Sequence, residues 1–131
     1  MTLNIGDKYS IKRIISEEEV LLFSEVSGDK NPLHLDEEYA KKTRFNGRIC
    51  HGMLIGAHIS ELLGMYFPGA GTIYLSQSLK FINPVYIGEE IDITAEVLEI
   101  VEKKLRLFIC VTGHSEKKVL EGEAVVLIEQ Y

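Results

Sequence analysis

The chain changes its hydrophobic rhythm near its middle. Over residues 16–64 apolar positions recur at helical spacing between loops, and from residue 72 onward they alternate with polar ones as strands do. Ser16-Glu17-Glu18-Glu19 forms a capping box that opens a helix. Val20, Leu21, Leu22, Phe23 and Val26 supply its apolar face, and Gly28 stops it. Asp36 caps a second, short helix over residues 37–42. Residues 52–63 are apolar nearly all round, which predicts a helix buried on most sides, with glycines that admit neighbouring backbone. Phe67-Pro68-Gly69-Ala70-Gly71 ends that helix with turn signals.

Strands are predicted over residues 8–15, 73–81, 91–97, 105–111 and 123–128. In the second, Ile73, Leu75, Leu79 and Phe81 alternate with Tyr74, Ser76, Ser78 and Lys80, the pattern of a half-buried strand. One strand, then helices, then strands joined by short turns gives an α+β fold. Its simplest form is an antiparallel sheet wrapped around the buried helix, the helices lying on one face. A length of 131 residues fits one domain, taken as residues 1–131.

Composition narrows the partners. A formal net charge of −6 argues against nonspecific nucleic-acid binding, which needs cations to neutralise phosphates. A local basic cluster of Lys41, Lys42, Arg44 and Arg48 still leaves room for a small phosphorylated ligand, or simply for a solvated helix end. No apolar run has the length of a membrane span, and Met1–Asp7 lacks the pattern of a signal peptide, so a cytoplasmic protein is expected. Cys50 and Cys110 read as buried small hydrophobes in a reducing compartment.

Chemistry concentrates in Ser27-Gly28-Asp29-Lys30-Asn31-Pro32-Leu33-His34. A carboxylate and an imidazole on one loop can share a water, one orienting it and the other taking its proton. Gly-Asp-x-Asn-Pro is also ordinary turn chemistry, and on spacing alone the turn is the stronger reading of Asp29. Gly52, entering the apolar helix, presents either a backbone donor for an oxyanion or only a close-packing glycine. Ser60 bonds either a substrate carbonyl or its own preceding turn. His51 is expected to fix the loop before Gly52, His58 to sit in a core or interface, and His114 to be solvated. The scattered histidines and cysteines lack metal-ligand spacing, and phosphate-binding loops are absent from the sequence, so no metal or cofactor is expected.

A longer pattern surrounds these residues. Phe23-x-x-Val26-Ser27-Gly28-Asp29-x-Asn31-Pro32-Leu33-His34 followed by Ala40, then His51-Gly52-Met53-Leu54 and Leu62-Leu63-Gly64, resembles the MaoC-like (R)-specific enoyl-CoA hydratases. The resemblance continues through Phe67-Pro68-Gly69-x-Gly71-x-Ile73-Tyr74-Leu75-x-Gln77-Ser78-Leu79-x-Phe81 and Pro84-Val85-x-x-Gly88-Glu89. It implies a hot-dog fold and reversible syn addition of water to a trans-2-enoyl-CoA, giving the (3R)-3-hydroxyacyl-CoA. It further implies that Asp29 and His34 activate one water and that the Gly52 N–H holds the thioester oxygen. Asn31 would orient His34 or the loop, and Ser60 would lie near the substrate. An acyl-CoA substrate and a homodimer, or a dimer of dimers, are implied as partners. The same fold would also suit a carrier-protein dehydratase, a thioesterase or a non-catalytic acyl-CoA-binding module.

Overall fold

The alternating stretches pair into one six-stranded antiparallel sheet in the computed structural model, which describes residues 2–129. Its strands are β1 (Lys8–Ile14), β2 (Thr72–Gln77), β3 (Lys80–Phe81), β4 (Glu90–Val101), β5 (Lys104–Thr112) and β6 (Lys118–Ile128), in the order β1-β4-β5-β6-β2 with β3 also on β6. Period-2 patterning decides which face is buried. Ile93, Ala95 and Val97 of β4 and Leu105, Leu107, Ile109 and Val111 of β5 point into the core, while Asp92, Thr94 and Glu96 take the other face.

The predicted strand over residues 73–81 is divided into β2 and β3. Register carries across the division, since Gln77 faces Ala124 and Lys80 faces Glu121. At the break the Glu123 N–H donates to Ser78 Oγ at 2.9 Å, and the Ser78 N–H donates to the Glu123 carbonyl at 2.9 Å. A serine side chain thus replaces a ladder bond and bends the strand. The residues of β2 are also less covered than a half-buried strand requires, with Ile73, Tyr74 and Leu75 all exposed, because β2 is an edge strand.

Helices α1 (Glu17–Ser27), α2 (Pro32–Leu35), α3 (Glu37–Lys41) and α4 (Gly52–Glu61) precede β2 in the chain. A π-helical turn, Leu62–Tyr66, extends α4. Leu54, Ile55, Ile59, Leu62 and Leu63 join the core cluster with the inward residues of β4, β5 and β6. Each such side chain contributes about 1.5–3 kcal/mol of burial, so this helix and the sheet hold each other in place. Burial of α4 is nevertheless one-sided. Met53, Ala57 and Ser60 are exposed, so the all-round apolar pattern describes a helix with a second face left open in the single chain. Its glycines admit side chains rather than backbone: Gly52 lies against the Phe81 ring and Gly56 against Leu79.

The capping box of α1 forms as expected, with the Glu19 N–H donating to Ser16 Oγ at 3.2 Å. Its buried stripe is narrower than predicted. Val20 and Ser24 are buried, whereas Leu21, Leu22 and Val26 are exposed, because α1 meets the body of the protein along a single line. His58 bridges α4 to α1, its Nε2 at 2.6 Å from Glu19 and its Nδ1 at 2.8 Å from Glu61. The Arg13 guanidinium on Glu61 holds that carboxyl below its usual range. Cys110 is half-buried, more open than expected, while burial pushes the Cys50 thiol up to about 12. Among the described residues no helix is long and apolar enough to cross a membrane.

Candidate active site

Between α1 and α2 the chain is folded by its own side chains. Gly28 caps α1 at φ 77°, a left-handed conformation that glycine adopts without cost. The Asn31 N–H donates to Asp29 Oδ1 at 3.1 Å, and the Leu33 N–H donates to Asn31 Oδ1 at 3.1 Å. Pro32 then starts α2 with its fixed φ. The Asx turn read from the sequence is therefore present, and it occupies Asp29 Oδ1 while the side chain stays exposed at the cavity described below.

His34 is carried inward by α2 and is 8% exposed. Its Nδ1 lies 2.7 Å from the Ile49 carbonyl. A carbonyl only accepts, so Nδ1 carries the proton and Nε2 keeps its lone pair. Arg48 fixes α2 from behind, donating from Nε to the His34 carbonyl at 2.8 Å while Nη1 pairs with Glu17 at 2.6 Å. Burial lowers the His34 pKa, the Ile49 hydrogen bond opposes that shift, and the neighbouring His51 adds to it.

That lowering has a measurable consequence. Protonated His34 has no lone pair with which to take a proton, so activity dependent on it is lost as pH falls through its pKa. With that pKa below the ordinary value of 6.5, the acid limb of kcat/KM has its midpoint below that value. A pH–rate profile whose acid limb has its midpoint at or above that value contradicts this placement.

His51 stacks on His34 with ring centroids 3.9 Å apart. Its Nε2 donates to the Asp29 carbonyl at 3.0 Å and lies 3.3 Å from Ser24 Oγ, fixing the segment before Gly52 against the Asp29 loop. The stack itself and the Ser24 contact carry no sequence signal. His51 Nδ1 is buried without a hydrogen-bond partner among the described residues. One carboxylate oxygen of Asp29 and one ring nitrogen each of His34 and His51 lie within 4.8 Å of one another. Two acceptors on a single water, each about 2.8 Å from its oxygen, stand roughly 4.5 Å apart, so the set fits one bound water. It fits a metal less well. Lone pairs lie in the ring planes, and two stacked rings do not aim theirs at one point within the ~2.0–2.1 Å of a metal–nitrogen bond.

Gly52 begins α4 with its N–H free of any hydrogen bond among the described residues. The Phe81 ring stands 2.5 Å from where a Cβ would be, so any side chain here would displace that ring. Asp29, His34, His51 and Gly52 all line one cavity of about 360 Å³, whose remaining walls are largely apolar: Phe45, Ile55, Phe81, Val85 and Val119. Asn31 and Ser60 are not among its lining residues. Asn31 caps α2 and so shapes the loop that carries His34, and Ser60 is exposed on the open face of α4. Arg44, Phe45 and the segment from Phe81 to Val85 were not predicted as walls. Phe81 and Pro84-Val85 stand in the longer pattern, the one trace of that role in the sequence.

A long helix packed in an antiparallel sheet, its N-terminus opening beside a carboxylate–imidazole pair, defines a hot-dog protein with an acid/base site. The family described as "MaoC like domain" matches residues 3–119, and the chain belongs to it. An (R)-specific enoyl-CoA hydratase of Rhodospirillum rubrum is 44% identical over 124 residues, covering 94% of this chain and 86% of the relative. A mitochondrial 3-hydroxyacyl-[acyl-carrier-protein] dehydratase of Arabidopsis thaliana is 38% identical, covering 96% of this chain and 78% of the relative. Among solved structures, the (R)-hydratase from A. caviae involved in PHA biosynthesis superposes with a TM-score of 0.95 at 38% identity, covering 98% of both chains. The hot-dog fold inferred from the sequence agrees with that likeness.

Proposed function

We propose that the chain is an (R)-specific enoyl-CoA hydratase, a hydro-lyase interconverting trans-2-enoyl-CoA and (3R)-3-hydroxyacyl-CoA. The observation that carries this reading is the convergence of Asp29, the free Nε2 of His34 and the free N–H of Gly52 on one apolar-walled cavity. Asp29 and His34 hold a water between them. His34 Nε2 takes a proton from it as its oxygen bonds to Cβ, the C=C π pair moves toward the thioester, and the Gly52 N–H stabilises the oxygen that becomes enolate-like. The proton returns to Cα from the same side, which makes the addition syn. Both hydrogens and the oxygen of the water end in the product. Asn31 acts here by shaping the loop, and Ser60 has a role at the substrate only if a second chain brings the open face of α4 into the site.

That open face supports a homodimer. Phe23, Met53, Ala57, Tyr74, Leu75 and Leu79 line one apolar groove beside the unpaired edge of β2. Exposed apolar patches and bare strand edges are surfaces that proteins cover. Leu75→Asp is expected to convert the dimer to monomer in sedimentation velocity, and an unchanged sedimentation coefficient counts against this face.

Loss of the enoyl-thioester absorbance on adding the protein to trans-2-butenoyl-CoA tests the function. Release of free CoA thiol instead favours a thioesterase. Turnover only on carrier-protein thioesters favours the dehydratase reading, for which the likeness to the Arabidopsis relative is the specific support.

A further inference from the structure

The basic cluster of residues 41–48 is not used by the chemistry described above, and its members have separate fates. Lys41 pairs with Glu38 at 3.8 Å, and Arg48 is spent on Glu17 and the His34 carbonyl. Lys42 and Arg44 form no ion pair among the described residues. Of the four, only Arg44 lines the cavity that holds Asp29, His34 and Gly52. It is exposed, so its guanidinium stands at the rim, and it lies over the Phe45 ring at 4.9 Å from the centroid. Phe45 is a wall of the same cavity, and cation–ring contact of this kind weakly favours that placement of the guanidinium. Acidic residues outnumber basic ones 20 to 14 in this chain, so an arginine left unpaired at a cavity rim stands out.

We infer that Arg44 binds the phosphates of coenzyme A and thereby selects CoA thioesters, a claim that rests on the hydratase reading of the same cavity. The thioester must lie against the Gly52 N–H, and the pantetheine arm then leaves through the rim. The arm carries amides and a hydroxyl but no charge, so it offers a guanidinium only single hydrogen bonds to neutral acceptors. Beyond the arm come the phosphates, whose oxygens match the planar fork of a guanidinium in paired hydrogen bonds. Arg44 touches no reacting atom. Its contribution is therefore to binding, equal in ground and transition states, and it appears in KM rather than kcat.

Two substrates separate the possibilities: trans-2-butenoyl-CoA and trans-2-butenoyl-pantetheine, which have the same thioester and differ in the phosphates. Arg44→Ala is expected to raise KM for the CoA thioester by about fivefold to tenfold with little change in kcat, a modest effect because the pair is solvent-exposed. The KM for the pantetheine thioester stays as in the wild type. Added salt raises the wild-type KM for the CoA thioester and loses that effect in the variant. Equal losses on both substrates, or no loss on either, overturn the inference. So does a loss confined to a carrier-protein thioester, which assigns Arg44 to a protein partner. Failure of the wild type to turn over either thioester is a failure of the hydratase reading instead. Calorimetric titration with CoA itself still reads Arg44 in that case: weaker binding by the variant supports the inference, and equal binding overturns it.

Discussion

Asp29→Asn is expected to lower kcat for hydration of trans-2-butenoyl-CoA by about 10²–10⁴-fold while leaving the melting temperature close to that of the wild type. The substitution separates the two roles that Asp29 holds. An asparagine keeps an Oδ1 that accepts from the Asn31 N–H, so the turn survives. What it removes is the negative charge and the second acceptor oxygen that grip the water. His34→Ala is expected to fall by a similar factor, through loss of Nε2 and its lone pair. Because both groups act on one water, the double variant should be little worse than either single one. Near-wild-type turnover in Asp29→Asn would leave the turn as that residue's whole function.

A second large effect belongs to the fold and reaches the site indirectly. A Cβ on Gly122 would overlap the Ser78 carbonyl oxygen, where β6 passes the bend between β2 and β3. Backbone on both sides has no rotamer with which to escape, so Gly122→Ala is expected to cost about 3 kcal/mol, at the upper end of overpacking. For a chain of this length that is a drop of roughly 10 °C in Tm. Gly64 is the control, since a Cβ there meets nothing within 4 Å and its backbone is not left-handed. Gly64→Ala should melt near the wild type. The bend matters to function because it sets Phe81, which lies on Gly52 and walls the cavity. Thermal melts of the two variants, followed by circular dichroism, decide this, and equal melting temperatures would contradict it.

The sequence was most legible where the physics is local. The Ser16/Glu19 capping box, the Asp36 cap, the Gly28 stop and the alternation of β4 and β5 each depend on residues within a few positions of one another, and each formed. Asp29, His34 and Gly52 were legible through their place in a longer pattern, and the fold brings all three to one cavity. Features set by distant packing were not legible. Exposure of Leu22 and Val26 depends on how α1 lies against the body, and the division between β2 and β3 depends on Glu123 reaching Ser78 across the sheet. The open face of α4 misled for a related reason: apolar spacing along a helix does not record how much of its surface the same chain covers. Ser60 stands on that face, outside the cavity of the single chain. The stack of His34 on His51 joins residues from α2 and the start of α4, and only the folded chain shows it.

On the proposed reading, Asp29 and His34 deliver one water across a double bond from a single side. Incubating trans-2-butenoyl-CoA with the protein in heavy water, followed by chiral analysis and proton coupling of the product, tests it most directly. The expected product is (3R)-3-hydroxybutyryl-CoA with one deuterium at Cα, on the same face as the new hydroxyl. The (3S) product, deuterium on the opposite face, or free CoA thiol without hydration would contradict it.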